Sequence, residues 1–438
     1  MAAARRESTT VGKAARREGG PPGRSSGLRR GSNLEHVADF NDSVVLDAIR
    51  RARTGSSRAE LVVETGLAAQ TVSDVCQRLL DQGLIAETGT STTGFGRPRR
   101  TLELVPASRY ALGVHIDPAT ITYVLLDLGG NLVAHFSRQT SSPQDADAIM
   151  TGMASALDVL LAGSGVERER VLGLGIAAPG PLDIAGGAMV DPPHLPGWHR
   201  VELVDRLHRA TGLPIVLDKD VTAAAVAERW AGGATGNSDF AFLYLGTGVG
   251  VGLVSGDIVV RGRSSNAGDI GHLIVDADGP PCECGQRGCL GTACSPLFLI
   301  QEAVAAGVLP ATPEDGQLVQ AVRRLGALCR AADDGDARAV EILRRSGRRL
   351  ARAILTIGNL LDTELVVGGG APRASGRPPN HNRQHGARGA GVGVGAPARA
   401  PPGPTGPTPG WWCAGGPPGP GPHTTTCRCS GRRWPSGS

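Results

Sequence analysis

Between Gly271 and Cys289 the chain reads GHLIVDADGPPCECGQRGC, which puts His272, Cys282, Cys284 and Cys289 in one short loop. One imidazole and three thiolates make a closed tetrahedral donor set for zinc, with no open position for a reacting water. Pro280-Pro281 and the glycines at 285 and 288 favour a compact turn over a long helix or strand. A disulfide pair or unrelated buried thiols are the alternatives, and four soft ligands in one turn-rich stretch favour metal. A structural Zn2+ there would tie down a loop with too little apolar content to fold alone.

A second group of residues suits nucleic acid. Asp42–Ala52 puts Val44, Val45, Leu46 and Ile49 largely on one helical face. Ser57-Arg58-Ala59-Glu60 is a capping box opening a second helix, and Thr65-Gly66-Leu67 closes it. A third helix is predicted from Ala68 or Ala69 to Gln82, with Val72, Val75, Cys76, Leu79 and Leu80 inward. Two helices joined by a short glycine turn are the helix-turn-helix signature. Residues 84–87 and 101–104 read as strands flanking a polar, glycine-rich wing. The third helix would offer Gln70, Thr71, Ser73 and Asp74 to base edges and phosphates. Arg97, Arg99 and Arg100 in the wing suit phosphates or a minor groove. A three-helix protein-interaction domain is the alternative.

These pieces sit in a chain of 438 residues, enough for two or three domains. Hydrophobic residues make up 40% and aromatics only 3%, so the cores must be aliphatic. No apolar run is expected to span a bilayer, and the opening MAAARRESTT lacks the apolar core of a secretory signal. Nine cysteines, three of them clustered with a histidine, fit a reducing cytoplasm and metal better than disulfides. The net charge of +4 divides unevenly: +6 over residues 1–33, +8 over 371–438 and −10 between. An acidic body with a basic N-terminal arm suggests that only that end meets a polyanion, though a solvated disordered arm reads equally well.

Beyond residue 109 the pattern alternates strands and helices, which implies an α/β layered domain. Strands are predicted at 110–116, 120–128, 131–138, 171–177 and 214–218, with helices at 146–162, 201–211 and 221–230. Asp239–Val254 reads as strand, glycine turn, strand. Its Gly246-Thr247-Gly248-Val249-Gly250 could cradle a phosphate or serve only as a turn. Residues 317–361 are helical and lead to a strand before Gly368-Gly369-Gly370.

With these motifs on the page, the chain resembles the ROK family of repressors, uncharacterised reading frames and sugar kinases. Residues 34–370 carry the resemblance. Its most specific part is Gly271-His272 followed by C-x-C-G-x-x-G-C, close to the family's zinc signature. Ala178-Pro179-Gly180-Pro181-Leu182-Asp183, Leu195-Pro196-Gly197-Trp198 and Asn359-Leu360-Leu361-Asp362 are also similar. The resemblance implies a two-lobed, actin-like (ribonuclease-H-like) ATPase fold behind an N-terminal winged helix-turn-helix. Members built this way are transcription regulators, many of them sugar-responsive.

Residue by residue, the kinase motifs depart from the family's pattern. Where kinases read D-x-G-G-T, this chain has His115, Ile116, Asp117, Pro118 and Ala119. Proline lacks the N–H that a phosphate cradle uses. Where they read E-N-D-x-N, it has Asp218-Lys219-Asp220-Val221-Thr222. The base position, Asp220, is kept as a vestige. Lys219 replaces the sugar-binding Asn, and its ammonium could pair with Asp220 or with an anionic ligand. E-x-G-H becomes Asp269-Ile270-Gly271-His272, and G-C-L-E becomes Gly288-Cys289-Leu290-Gly291. The resemblance therefore implies ligand contacts at Gly180, Lys219, Asp220, Asp269 and His272, with no catalytic set.

The expected organisation is a disordered basic arm (1–33), a winged helix-turn-helix domain (34–105), a two-lobed ROK-type sugar-sensing domain (109–370) and a low-complexity Gly/Pro/Arg tail (371–438). The tail contains no Leu, Ile, Met, Phe, Tyr, Asp, Glu or Lys, so it should be disordered. The expected protein is a cytoplasmic DNA-binding regulator, a homodimer or homotetramer on a double-stranded operator, answering to a sugar effector. A sugar kinase that retains a DNA-binding module is the alternative.

Overall fold

The computed structural model describes residues 34–52, 54–91, 99–140, 145–195, 197–232, 234, 236–313, 317–370 and 425–428. It divides into two compact units, one holding the chain to Gln82 with Glu87–Glu103, the other Gly83–Ala86 with the rest.

The first unit packs α1 (Leu34–Arg51), α2 (Arg58–Thr65) and α3 (Ala69–Asp81) on one another. A two-stranded sheet of β1 (Ile85–Ser91) and β2 (Arg99–Leu104) follows. Val45, Ile49, Leu61, Val72, Val75, Cys76, Leu79 and Leu102 are buried, at i, i+3, i+4 spacing on α1 and α3. Both arms of the capping box form: Ser57 Oγ accepts from Glu60 N, and the Glu60 carboxylate accepts from Ser57 N at 2.7 Å. α2 ends on Gly66 at φ +68°, a conformation that favours glycine. α1 starts at Leu34, eight residues before the apolar stripe of the sequence begins.

The second unit starts with β3 (Tyr110–Ile116), β4 (Thr120–Asp127), β5 (Leu132–Gln139), α4 (Ala146–Ser164) and β6 (Val171–Ala178). A small sheet of β7 (Leu182–Asp183), β8 (Ala188–Val190) and β9 (Arg200–Glu202) precedes α5 (Leu203–Thr211) and β10 (Ile215–Lys219). These strands make a five-stranded sheet in the order β10-β6-β3-β4-β5, antiparallel through β3–β5 and parallel at β6 and β10. Continuing, α6 (Asp220–Ala231), β11 (Phe240–Leu245), β12 (Val249–Ser255) and β13 (Ile258–Val259) lead through the cysteine loop to α7 (Leu290–Ala293). α8 (Pro296–Ala305), α9 (Leu318–Asp333), α10 (Ala337–Leu361), β14 (Leu365–Gly369) and β15 (Thr425–Arg428) complete the order. The second sheet, β13-β12-β11-β14-β15, repeats the plan of an antiparallel meander joined by a parallel strand.

One helix bears on the expectation that no run spans a bilayer, and the expectation for the tail is corrected. α4 is, at nineteen residues with mean hydropathy 1.3, long and apolar enough to cross a membrane. Its Ile149, Met150, Met153, Leu157, Leu160 and Leu161 instead join the core under the first sheet. The 371–438 tail was expected to be disordered throughout, yet Thr425–Arg428 pair antiparallel with Leu365–Gly368. The open edge of β14 supplies unpaired N–H and C=O groups for that strand. The remainder of the tail and residues 1–33 lie outside the described residues.

Candidate functional site

The loop from Gly271 to Cys289 folds as a small irregular hairpin. Leu273 O accepts from Leu290 N at 2.8 Å, Gly288 O from Val275 N at 3.0 Å, and Gln286 O from Cys282 N at 2.8 Å. Gly288 sits at φ +67°, and a Cβ there would lie 1.5 Å from Asp276 O, so only glycine fits. These turns bring His272 Nδ1 to 3.5 Å from Cys282 Sγ, and Cys284 Sγ to 3.5 Å from Cys289 Sγ. All four ligand atoms lie within 4.8 Å of one another. A tetrahedral ion with bonds of about 2.3 Å to sulfur spaces its donors about 3.7 Å apart, so the cluster could hold a metal.

The thiols are unequal. A hydrogen bond with Thr292, with help from the Cys284 backbone, lowers Cys282 to about 6. Burial, then the neighbouring Cys284 and Cys282 sulfurs, push Cys289 up to about 12. Three sulfurs this close cannot all ionise unless a cation balances them. α10 braces the loop from behind: Arg349 donates to Asp276 Oδ2 at 2.9 Å and to Ala293 O at 3.0 Å, while Arg352 donates to Val275 O at 2.7 Å. Arg349 is 4% exposed and Asp276 half-buried, so only the cation of this pair is fully withdrawn from water. Sequence reasoning missed it, because Asp276 and Arg349 are 73 residues apart.

Between the two sheets lies a cleft of about 590 Å³, counted out to open solvent. Gly180, Lys219, Asp220 and Asp269 line it, with Asp117, Pro118, Tyr244 and the glycine turn 246–250. His272 is not among the lining residues. Its Nδ1 is turned to the cysteines.

At the floor, Asp117 occupies the turn between β3 and β4. Its Oδ1 accepts from Ala119 N at 2.8 Å, and its Oδ2 from Thr247 Oγ1 at 2.6 Å and Tyr244 OH at 3.3 Å. The carboxylate is 6% exposed and caps its own turn. Thr247 reaches it from the glycine turn of the second sheet, where Gly246 N also donates to Gly248 O at 2.9 Å. Burial and then the charge of Asp117 push the Tyr244 hydroxyl well up, so it stays a donor.

The end of β10 and the start of α6 supply the wall. Lys219 is 7% exposed and donates to Asn266 O at 3.3 Å. Asn266 also clamps Leu182, accepting from its N at 2.7 Å and donating to its O at 2.8 Å, a role for which the sequence holds no signal. A Cβ on Gly180 would lie 3.1 Å from Lys219 Cε, so glycine there leaves the lysine its channel. Asp220 begins α6, and its Oδ1 accepts from Val221 N at 2.7 Å. It lies deep but keeps part of its surface open to the cleft, and burial pushes its carboxyl up. Asp218 pairs with Arg261 at 2.7 Å, and Asp269 stands exposed at the mouth.

In the first unit, α3 exposes Gln70, Ser73 and Asp74, with Thr71 half-buried beside them. Gln70 Nε2 donates to Asp74 Oδ1 at 2.8 Å along the helix. Arg100 is exposed and bonded to Glu87, which also accepts from Arg58 at 3.2 Å. Arg97 and the side chain of Arg99 lie outside the described residues.

A model of the ROK family matches residues 111–380. The chain is 32% identical over 275 residues to a glucokinase of Halalkalibacterium halodurans, covering 61% of this chain and 82% of that protein. It is 26% identical over 345 residues to the DNA-binding transcriptional dual regulator NagC of Escherichia coli, covering 76% of this chain and 81% of NagC. A solved structure of a ROK family transcriptional regulator, a homologue of the E. coli MLC protein, superposes with a TM-score of 0.62 at 26% identity. It covers 75% of this chain and 82% of that one.

Proposed function

The chain belongs to the ROK family, and from that premise we propose that it is a DNA-binding transcriptional regulator, a repressor, whose two-lobed domain senses a sugar or sugar derivative and no longer transfers phosphate. The observation that carries this reading is the turn at Asp117. Kinases of the family would need that turn open to an anion. Here a buried carboxylate fills it, uses the Ala119 N–H and the Thr247 hydroxyl, and would repel a phosphate. Pro118 adds no N–H.

The DNA-binding half rests on the head unit. Its order of capped helix, glycine turn, exposed third helix and two-stranded wing is that of a winged helix-turn-helix. The 345 residues aligned with NagC exceed the 270 of the family match, so that likeness runs beyond the ROK domain. Gln70, Thr71, Ser73 and Asp74 would read bases, and Arg97, Arg99 and Arg100 would hold phosphates. The protein would act in the cytoplasm as a homodimer or homotetramer, because two heads match two half-sites of an operator. His272, Cys282, Cys284 and Cys289 would hold a structural zinc, which supplies charge balance and cross-linking rather than chemistry.

Selection of bound duplexes from a random pool should yield a two-fold-related site, and binding should weaken steeply with salt. Recovery of no enriched sequence would sink the regulator reading. The glucokinase relative and the retained Asp220 favour a second reading, a sugar kinase. A coupled ADP-release assay across hexoses should show no turnover; turnover abolished by Asp220→Asn would establish the kinase instead.

A further inference from the structure

We propose that the cleft takes a sugar acid, whose carboxylate is bound by Lys219. This rests on the reading of the cleft as an effector site. Lys219 is more than nine-tenths buried and lines the cavity. Among the described residues its ammonium makes one hydrogen bond, to Asn266 O at 3.3 Å, and no ion pair. Asp220, the adjacent acid, spends Oδ1 on Val221 N and does not close on it. Buried ammonium groups are ordinarily paired. This one lines a cleft open to solvent, with donors left over for a ligand.

The charge on the ligand follows from what else faces that space. Asp117 already accepts from Ala119 N, Thr247 and Tyr244, so it adds negative potential and little spare acceptor capacity. Among the described residues no arginine lines the cleft, and the N–H groups of Ala119 and Gly246 are both taken. A phosphate dianion needs several donors and would sit beside three acids, Asp117, Asp220 and Asp269, with Lys219 alone as a lysine or arginine to balance it. A single carboxylate matches a single ammonium. Asp220 Oδ2 has no partner among the described residues and faces the same cleft, placed to bond a hydroxyl of the sugar.

The test is calorimetric titration of the full-length protein with D-glucuronate, D-galacturonate and D-gluconate. The uncharged glucuronamide, D-glucose and glucose 6-phosphate are titrated in parallel. One of the acids should bind roughly ten-fold to a hundred-fold tighter than its amide, and Lys219→Met should erase that ratio. If Lys219→Met does not fold, the acid-to-amide ratio on the unaltered protein decides alone. Amide or glucose binding as tightly as the acids overturns the proposal and leaves the sugar-sensing regulator intact. Tightest binding by glucose 6-phosphate, lost in Lys219→Met, overturns the carboxylate assignment. Binding of none of the six overturns the effector site together with the proposal, and operator selection still judges the DNA-binding half.

Discussion

The loop at 271–289 and the turn at 116–120 are both short, and each holds side chains that can carry negative charge. They solve the resulting electrostatic problem in opposite ways. The loop collects three sulfurs and a histidine side by side, with Cys282 held low by Thr292 and the Cys284 backbone and Cys289 forced up by burial. The turn holds one carboxylate and surrounds it with three donors from its own chain. The loop is built to accept a cation; the turn is closed to an anion. On the proposed reading, the clip that would hold a lobe together is kept while the phosphate turn is not.

If the loop depends on a cation and the turn does not, removing a ligand should give the largest effect. Cys289→Ser leaves two thiols and an imidazole around the metal and should cost more than about 3 kcal/mol of stability. Calorimetry with and without a chelator checks it: the chelator should lower the melting temperature of the parent protein and leave the variant unchanged. A parent protein indifferent to chelation would break the comparison at its first term. Arg349→Met comes next, because it leaves the half-buried Asp276 behind the loop without its cation. Breaking such a pair costs about 3–5 kcal/mol, some of it offset here by solvent access to Asp276. Denaturant titration reads the loss. Metal content should survive that change, which separates bracing from ligation.

Asp117→Asn tests the turn itself. The amide keeps the Ala119 N–H bond but gives up the charge-assisted bond from Thr247, and about 2 kcal/mol should go. Chelator sensitivity should be unaltered. Nucleotide turnover should remain absent, since Pro118 still denies the turn an N–H; its appearance would mean that the carboxylate alone blocks phosphate.

Much of this could be read in the sequence wherever the partners are near neighbours. The capping box needs only Ser57 and Glu60, and the metal set falls within eighteen residues of chain. Residues 317–361 read as one helical stretch, yet α9 ends at Asp333 and α10 starts at Ala337. The break was signalled by Gly335, which takes φ +92°, and by Asp336, which caps α10. Long-range pairings left no such mark. Asp117 looked like a misplaced residue in a phosphate loop, because the Thr247 hydroxyl that gives it a purpose lies 130 residues away. Asn266 joins Leu182 across 84 residues. Periodicity and turn chemistry report local geometry, whereas the cleft is assembled by strand order.

The smallest expected effect is a gain. Asp220 is raised in the folded protein by burial, so its charged form is disfavoured there relative to the unfolded chain. Folding then takes up a proton at this site. The sign follows: stability is lost as pH rises from the unfolded carboxylate range through the raised folded value, and it is fully present below that window. Asp220→Asn keeps the acceptor for Val221 N and removes the penalty. Melting temperature at neutral pH should rise, by an amount equivalent to about 1 kcal/mol, and the gain should vanish in acid. Asp117→Asn has no such reason to stabilise, so the two acids, both in the cleft, should move stability in opposite directions. If Asp220→Asn destabilised at neutral pH, Asp220 would be a satisfied structural acid like Asp117, and the cleft would lose an acceptor held open for a ligand.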